Sequence, residues 1–251
     1  MNVSYGHLTT AWDGYPEFLR KLIQRVQPTR VLEVGGGAKP SIELSELAEL
    51  GIGEYSVLDI SADELTKAPV GYTKIHADIC AEGLQLPGQY DLIFSRMLAE
   101  HVHSPRIFHH NIRELLSPNG RAFHFFATMF CPVYLLNRLL PRALTERLVL
   151  WSAPDRTKDG DNDSFPAYYR WCYGPVNWQV RRFEELGYDV EIYNGFFGHG
   201  YYNKIPVIRD GHRWLTNRLL RHPNPYFTTV AYLVLRKGTV GQASIAGGCP
   251  R

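Results

Sequence analysis

The chain has 251 residues, 45% of them hydrophobic, which is enough to bury the core of one large α/β domain or of two small domains. Its formal net charge is only +2, with basic and acidic residues interspersed, so composition gives no support for nucleic-acid binding. The amino terminus carries no basic segment followed by an apolar run, and no stretch reaches the roughly 18 apolar residues of a membrane span. We therefore expect a globular, cytoplasmic protein without a membrane span.

The cysteines do not predict a metal site. No two of them form a C-x-x-C pair, and none has a histidine at a spacing typical of zinc ligands. We interpret them as free thiols in a reducing compartment. They are Cys80, Cys131, Cys172 and Cys249.

The first predicted element is an amphipathic helix over Tyr15–Val26, where apolar residues recur at helical spacing between basic and polar ones. Upstream of it, Tyr5, His7 and Trp12 form an aromatic segment without periodicity. One interpretation of that segment is an ordered arm packed on the surface. Residues 1–28 are therefore expected to form an amino-terminal arm and helix.

The stretch Arg30–Ser41, RVLEVGGGAKPS, is a short apolar strand that runs into an acid and then three consecutive glycines. Gly35, Gly36 and Gly37 let the backbone turn tightly and bring its N–H groups close to a ligand. This pattern predicts a cradle for a cofactor.

The residues around the glycines favour one kind of cofactor. The carboxylate of Glu33 would repel a pyrophosphate but would suit a ligand that carries an amino group. Pro40 stands where the dinucleotide-binding fingerprint, counted from Gly35, has its third glycine. Pro40 and Ser41 suit the first turn of a helix, which we predict over Ser41–Leu50. These features argue against a dinucleotide.

Two predicted strands that end in acids follow the loop. Tyr55–Ile60 contains Asp59, and Tyr72–Ala77 is followed by Asp78. Because open α/β sheets bind ligands at the carboxyl ends of their strands, we expect both acids at the ligand site. The next strands are predicted at Gln89–Ser95 and Arg121–Thr128. Strands that alternate with helices favour a parallel, doubly wound sheet.

The middle of the chain changes in composition. Residues 131–151 are leucine-rich with three arginines, and Pro141 must end or kink a helix there. Three interpretations stay open for this segment: a core or homodimer face, a lid over an acceptor site, and a basic helix on a membrane surface. Residues 152–174 form a long loop rich in aspartates and aromatic residues, which is typical of a functional loop.

The last third of the chain predicts a helix, a strand, a second helix and a final strand. Their ranges are Pro175–Leu186, Tyr188–Tyr193, His212–Leu220 and Tyr226–Arg236. Residues 238–251 have too little bulk to pack, and we expect a disordered tail.

Glu33, Gly35 and Gly37 match the first motif of the class I S-adenosylmethionine-dependent methyltransferases, and the first half of the chain resembles this family. The resemblance implies S-adenosylmethionine as the cofactor, with Asp59 binding the ribose hydroxyls and Asp78 contacting the adenine. The full set of implied cofactor-binding residues is Glu33, Gly35, Gly36, Gly37, Asp59, Ile60, Asp78, Ile79 and Ser95.

The resemblance also implies a fold: a Rossmann-like, doubly wound, seven-stranded sheet that is mostly parallel with an antiparallel last strand. We expect one methyltransferase domain over residues 1–237, with an acceptor-side insertion at 129–178. In this family an amino-terminal arm often folds over the cofactor as a lid, which is the second interpretation of that segment. A nucleotide-binding oxidoreductase and a catalytically idle cofactor-binding scaffold stay open as alternatives.

A sugar or aliphatic hydroxyl keeps its proton at neutral pH, so its methylation needs a base within hydrogen-bond reach or a metal that acidifies it. His101 follows the fourth predicted strand and is the first candidate base, with Glu100 beside it. The segment resembles the Glu-x-x-Glu-His motif of metal-assisted O-methyltransferases, but Met97 replaces the first glutamate. Mg²⁺ held by Glu100 and His101 is therefore the minority hypothesis. His199, flanked by glycines, is the second candidate base.

Aromatic residues near the acids of the long loop suggest an acceptor pocket that mixes flat apolar faces with hydrogen-bond acceptors, as carbohydrate sites do. The candidates are Tyr168, Tyr169, Trp171, Tyr201 and Tyr202. We expect O-methylation of a hydroxylated small molecule such as a saccharide, with C- or N-methylation of a natural product as the alternative.

The remaining histidines carry no predicted chemistry. His124 alternates with its neighbours within the fifth strand and is expected to be a satisfied core histidine. His109 and His110 are expected on a polar helix face.

Overall fold

The computed structural model describes residues 1–129, 166–198 and 206–238 of the chain. These residues form one eight-stranded sheet. Its strands are β1 Asn2–His7, β2 Arg30–Val34, β3 Glu54–Asp59, β4 Thr73–His76, β5 Tyr90–Arg96, β6 Leu116–Ala127, β7 Tyr188–Phe197 and β8 Val230–Lys237. In space they follow the order β1-β7-β8-β6-β5-β2-β3-β4.

Every strand of this sheet except β8 runs in the same direction. β8 is antiparallel to both of its neighbours, β6 and β7, and the other neighbouring pairs are parallel. The mostly parallel, Rossmann-like class with an antiparallel last strand is confirmed. The sheet has eight strands rather than the seven expected, because β1 adds an edge strand beside β7.

Six α-helices lie in the described part of the chain. They are α1 Leu8–Asp13, α2 Tyr15–Val26, α3 Ala62–Lys67, α4 Pro105–Leu115, α5 Asn177–Glu185 and α6 Pro206–Arg221. Short 3₁₀ turns occur at Leu44–Glu46, Ala99–His101 and Pro225–Phe227. None of the helices in these residues is both long and apolar enough to cross a bilayer.

Helices cover both faces of the sheet, as a doubly wound fold requires. On one face α2 buries Tyr15 and Ile23 in a cluster with Phe123 of β6. On the other face α4 and α5 bury Phe108 and Phe183 in a second cluster. The central strands are therefore covered on both sides, which explains why β2 and β5 read as nearly continuous apolar runs.

The helix predicted over Ser41–Leu50 is not formed, and the segment has only the 3₁₀ turn Leu44–Glu46. The N–H and the hydroxyl of Ser41 both donate to the carboxylate of Glu33, which fixes the chain before an α-helix can begin. Glu43 then adopts an extended conformation and caps the 3₁₀ turn. The prediction was wrong because this tertiary contact outweighs local helix propensity.

The aromatic amino-terminal segment consists of the strand β1 and the short helix α1. β1 pairs in parallel with β7, from Asn2 opposite Ile192 to His7 opposite Phe197. As an edge strand it is exposed or half-buried along its whole length. Its sequence therefore lacks the alternation of apolar and polar residues by which strands are recognised.

Other elements also differ from their predicted bounds; β7, for example, continues to Phe197 instead of ending at Tyr193. β6 begins at Leu116, earlier than predicted, because Leu116 pairs with Tyr90 of β5 before the ladder becomes irregular. α6 is longer than predicted at both ends. β8 begins later than predicted, because Pro225–Phe227 forms a 3₁₀ turn that the side chain of Asn224 caps.

His109 is buried in the core rather than exposed on a polar helix face. Its ring packs edge-on against Phe108 and Phe183 and stacks on Trp171. His124 of β6 lies beside it, with the ring centroids 5.3 Å apart. Burial lowers the pKa of His109 well below its ordinary value and lowers the pKa of His124 to about 3. Both imidazoles are therefore neutral in the folded protein near neutral pH.

We predict that His109→Phe makes the stability of the protein less dependent on pH. The pKa of His109 is depressed in the folded state, so its contribution to stability is full above the ordinary pKa and is lost as the pH falls below it. Between pH 7 and pH 5 the substitution should remove about 2 kcal/mol of the decrease in unfolding free energy. Urea unfolding at both pH values measures this quantity.

The control is His110→Gln at the exposed neighbouring position, which should keep the wild-type pH dependence. An unchanged pH dependence in His109→Phe would show that the imidazole of His109 titrates normally and is not buried.

Candidate functional site

The loop after β2 brings bare backbone to the carboxyl edge of the sheet. Gly35 has a φ of 77° and Gly37 a φ of 41°, a region that favours glycine. A Cβ added to Gly35 would lie 2.9 Å from Leu98 Cδ1, and one added to Gly37 would lie 3.1 Å from Asp59 Oδ2. The surroundings of these positions therefore leave little room for a side chain.

Glu33 fixes this loop through hydrogen bonds to its carboxylate. Its buried carboxylate accepts hydrogen bonds from Ser41 N at 2.9 Å, from Ser41 Oγ at 2.5 Å and from the hydroxyl of Tyr55. A Cβ added to Gly36 would lie 2.9 Å from Glu33 Cδ, so the loop backbone passes directly over the carboxylate. Burial raises the pKa of Glu33, although its hydrogen bonds oppose the shift.

Two acids lie at the neighbouring strand ends. Asp59 ends β3, and its Oδ1 accepts a hydrogen bond from Ser61 N at 2.9 Å. Asp78 follows β4, and its Oδ1 accepts one from Cys80 N at 2.7 Å. Because β3 and β4 are parallel neighbours, both carboxylates lie at one edge of the sheet, as the sequence predicts. The turns use one oxygen of each carboxylate, so the other can accept a bond from a ligand.

Two adjoining cavities open along this edge and share Gly35, Asp59 and Met97. The first has a volume of about 370 Å³. Its lining includes Asp59, Ile60, Asp78, Ile79, His101 and Tyr168. The second has a volume of about 910 Å³. Its lining includes Trp12, Glu33, Gly36, Gly37, Lys39 and Arg96.

The chain after β5 places His101 in the first cavity. Met97 has a φ of 50°, which is uncommon for a residue with a side chain, and its N–H donates to Phe125 O at 2.7 Å. The chain then forms the 3₁₀ turn in which His101 N donates to Leu98 O at 2.8 Å. The half-buried imidazole of His101 thus lies in the same cavity as Asp59.

Glu100 is only 2% exposed and lines neither cavity. Burial raises the pKa of its carboxyl group to about 7, and Oε2 has no hydrogen-bond partner within the described ranges. Its backbone carbonyl accepts bonds from Tyr168 N at 2.7 Å and Tyr169 N at 2.9 Å. Glu100 therefore holds the segment that carries Tyr168 through its main chain. No metal-binding group of three His, Cys, Asp or Glu residues occurs in residues 1–129, 166–198 and 206–238.

The aromatic residues expected at the acceptor site divide into two groups. Tyr168 lines the first cavity and is 39% exposed. Tyr169 and Trp171 pack against the core, and Trp171 stacks on His109. The candidates outside the described residues are His199, Tyr201 and Tyr202, with residues 130–165 of the expected insertion and 239–251 of the expected tail.

Three further residues of the implied cofactor set differ in their placement. Ile60 and Ile79 line the first cavity. Ser95 lines neither cavity; it is fully buried, and its hydroxyl is hydrogen-bonded to His124 Nδ1 at 2.8 Å. His124 thus lies in the core as predicted, but only one of its nitrogens is satisfied within the described residues.

Sequence reasoning missed Arg96, which lines the second cavity together with Trp12 of the amino-terminal segment. The guanidinium of Arg96 lies over the rings of Trp12 and Tyr15, at 5.6 Å and 5.1 Å from their centroids. Arg96 lies near the glycine loop because β5 pairs with β2, with Val34 opposite Ser95 in the ladder. That pairing could not be read from one sequence.

A family model described as a methyltransferase domain matches residues 11–158, a span that contains the glycine loop, both acids and His101. The chain belongs to the class I S-adenosylmethionine-dependent methyltransferases. This methyltransferase is an enzyme with S-adenosylmethionine as its cofactor, so the oxidoreductase and scaffold alternatives are set aside. No curated protein sequence matches the chain.

Solved structures share the fold of this methyltransferase. A crystal structure of an S-adenosylmethionine-dependent methyltransferase from Mesorhizobium loti has a TM-score of 0.54 at 18% identity, covering 89% of this chain and 99% of that one. The CMeT domain of the citrinin polyketide synthase has a TM-score of 0.52 at 17% identity, covering 89% of this chain and 51% of that one. At these identities the likeness extends to the fold alone.

We predict that Asp59→Ala weakens the binding of S-adenosylhomocysteine by about 1 to 3 kcal/mol, the range for a lost hydrogen bond to a charged group. Asp78→Ala should have a smaller effect, because a backbone N–H can still contact the adenine. Asp63→Asn, at another acid that lines the second cavity, is the control and should bind as wild type does. Calorimetric titration measures all three. Unchanged affinity in Asp59→Ala would show that the ribose does not lie at the end of β3.

Proposed function

We propose that this methyltransferase methylates a hydroxyl oxygen of a small molecule, and of a saccharide in particular. The observation that carries the proposal is that the imidazole of His101 lines the same cavity as Asp59 and Asp78, the acids expected to bind the cofactor. An imidazole in that position can take the proton that an aliphatic hydroxyl keeps at neutral pH.

The residues of the site fit S-adenosylmethionine. Only glycine fits well at Gly35 and Gly37, so the loop meets the second cavity with bare backbone rather than with side chains. We expect this loop to hold the amino-acid part of the cofactor, Asp59 the ribose hydroxyls and Asp78 the adenine. Apolar cover for the adenine would come from Ile60 and Ile79. When bound, the cofactor supplies an electrophilic methyl group on a sulfonium.

The role of the protein in the reaction is then to position the acceptor and to remove its proton. Holding the acceptor oxygen in line with the methyl–sulfur bond converts an encounter in solution into a step within one complex. A ring nitrogen of His101 would accept the hydroxyl proton as the oxygen attacks. His101 belongs to the 3₁₀ turn that follows β5, and the backbone hydrogen bonds of Met97 and His101 favour a fixed position for that nitrogen.

The saccharide as acceptor is supported by the mixed character of the cavity. The exposed ring of Tyr168 offers a flat face on which the C–H groups of a sugar can stack. His103 lines the same cavity and adds a polar group beside it. The aspartates of the 152–174 loop that suggested hydroxyl binding all lie outside the described residues, so the saccharide proposal rests on this ring and on the sequence.

Mg²⁺ held by Glu100 and His101 is not supported by the donor set. The carboxyl group of Glu100 is buried away from both cavities, and this burial disfavours its ionised form and raises its pKa to about 7. Met97, where the resembling motif has a glutamate, offers no oxygen ligand. We therefore assign no step to a metal, and addition of EDTA should leave the rate unchanged.

The experiment that tests the proposal is a screen of the purified protein for release of S-adenosylhomocysteine. The acceptors offered are sugars, aliphatic alcohols, phenols, amines and RNA. Turnover with a sugar supports the proposal. Turnover confined to amines or to phenols would contradict it, because these acceptors need less help with the removal of a proton.

We predict that His101→Ala lowers kcat by about 10²- to 10⁴-fold, the usual contribution of a general base. Affinity for S-adenosylhomocysteine should change little, because the roles proposed for the acids and the glycine loop do not involve the imidazole. His110→Ala, at an exposed histidine that lines neither cavity, is the control and should keep the wild-type activity. Near-normal kcat in His101→Ala would place the base elsewhere, with His199 the next residue to change.

A further inference from the structure

Arg96 is a cation at the edge of the cofactor site to which no role has yet been given. It is the last residue of β5, and its side chain is exposed. In the parallel ladder Val34 is opposite Ser95, so Arg96 lies beside the first glycine of the loop. It lines the same cavity as Gly35 and Glu33.

Two aromatic rings hold the guanidinium in place. It lies over Trp12 and Tyr15, and Trp12 is itself packed edge-on against Phe125 with the ring centroids 4.9 Å apart. Stacking on ring faces leaves the N–H donors of an arginine free at the edge of its plane. The aromatic contacts therefore position the side chain of Arg96 and leave its N–H groups available to bind an anion.

Arg96 makes no ion pair with a carboxylate of the described residues. Burial raises the pKa of nearby Glu33 and the charge of Arg96 opposes that rise, but the oxygens of Glu33 are bound by Ser41 and Tyr55 instead. Lys67, another cation of the cavity, differs in this respect, since it is paired with Glu64 at 2.6 Å. A fork-shaped donor without an acidic partner, facing a loop that binds a ligand, matches the geometry of a carboxylate.

We propose that Arg96 binds the carboxylate of the methionine part of S-adenosylmethionine and so fixes that end of the cofactor. The proposal rests on the cofactor placement described above and not on the identity of the acceptor. The carboxylate is the anionic group of this cofactor, and the second cavity contains the loop expected to hold its amino-acid part. Arg96 is thus a cofactor-positioning residue that the family motifs do not mark in this chain.

The test compares two ligands that differ only in the carboxylate. S-adenosylhomocysteine carries it, and the decarboxylated analogue keeps the amine and the adenosine but lacks it. Arg96→Gln should weaken the binding of S-adenosylhomocysteine by about 10- to 100-fold, the range for a lost charge-assisted hydrogen bond. The same substitution should change the affinity for the decarboxylated analogue by less than about twofold, since that ligand never made the bond.

Two further variants keep the result interpretable. Arg96→Lys retains the charge but not the fork, and it should recover part of the affinity for S-adenosylhomocysteine. Lys39→Gln removes another cation of the cavity and should affect both ligands little. Thermal unfolding of each variant without ligand shows whether the stacked aromatic rings still fold around position 96.

Equal losses for the two ligands in Arg96→Gln would overturn the proposal, because the arginine would then act only on the shape of the site. A carboxylate-specific loss in Lys39→Gln instead would assign the carboxylate to the lysine. If the wild-type protein binds the decarboxylated analogue as tightly as S-adenosylhomocysteine, no residue of the site gains affinity from the carboxylate. The proposal also fails in that case. Failure of the sugar screen leaves these outcomes unchanged, so the two proposals are tested separately.

Discussion

At the end of β2 the carboxylate of Glu33, 2% exposed, gathers three hydrogen-bond donors from Ser41 and Tyr55. Burying a carboxyl group is costly unless its oxygens are satisfied, so this cluster is stable only when all of these groups are in place. The bonds to Ser41 close the glycine loop, and the bond from Tyr55 ties it to β3. The loop is thus fixed to the strand whose last residue is Asp59.

The remaining parts of the site follow from the parallel order of the strands. β2 lies between β3 and β5, so the glycine loop is flanked by Asp59 on one side and by Arg96 on the other. The chain beyond β5 then turns at Met97 and carries His101 into the first cavity. The groups expected to bind the cofactor and the group proposed to take a proton therefore come from the ends of neighbouring strands.

Much of this arrangement could be predicted from local sequence patterns. The bounds of α2 follow from the spacing of its apolar residues, and Asp59 could be placed at a strand end because a short, mostly buried run precedes it. The position of a residue at the end of a buried parallel strand is a local property. It can be predicted without knowledge of the rest of the fold.

What could not be predicted depends on contacts between distant segments. The bonds from Ser41 to Glu33 replace the expected helix with a 3₁₀ turn. His109 is turned into the core by packing against α5, although the polar residues around it suggest a solvated face. The importance of Arg96 follows from the pairing of β5 with β2, which no periodicity reveals.

The central claim is that Glu33 fixes the glycine loop on which the cofactor site depends. Its most direct test is calorimetric titration of Glu33→Gln with S-adenosylhomocysteine and with 5′-methylthioadenosine, which lacks the amino-acid part. The amide would turn an N–H group toward a donor of Ser41 or Tyr55, so the loop should shift. We expect the affinity for both ligands to fall by a similar factor of about ten or more. A loss confined to S-adenosylhomocysteine, or no loss at all, would contradict the account.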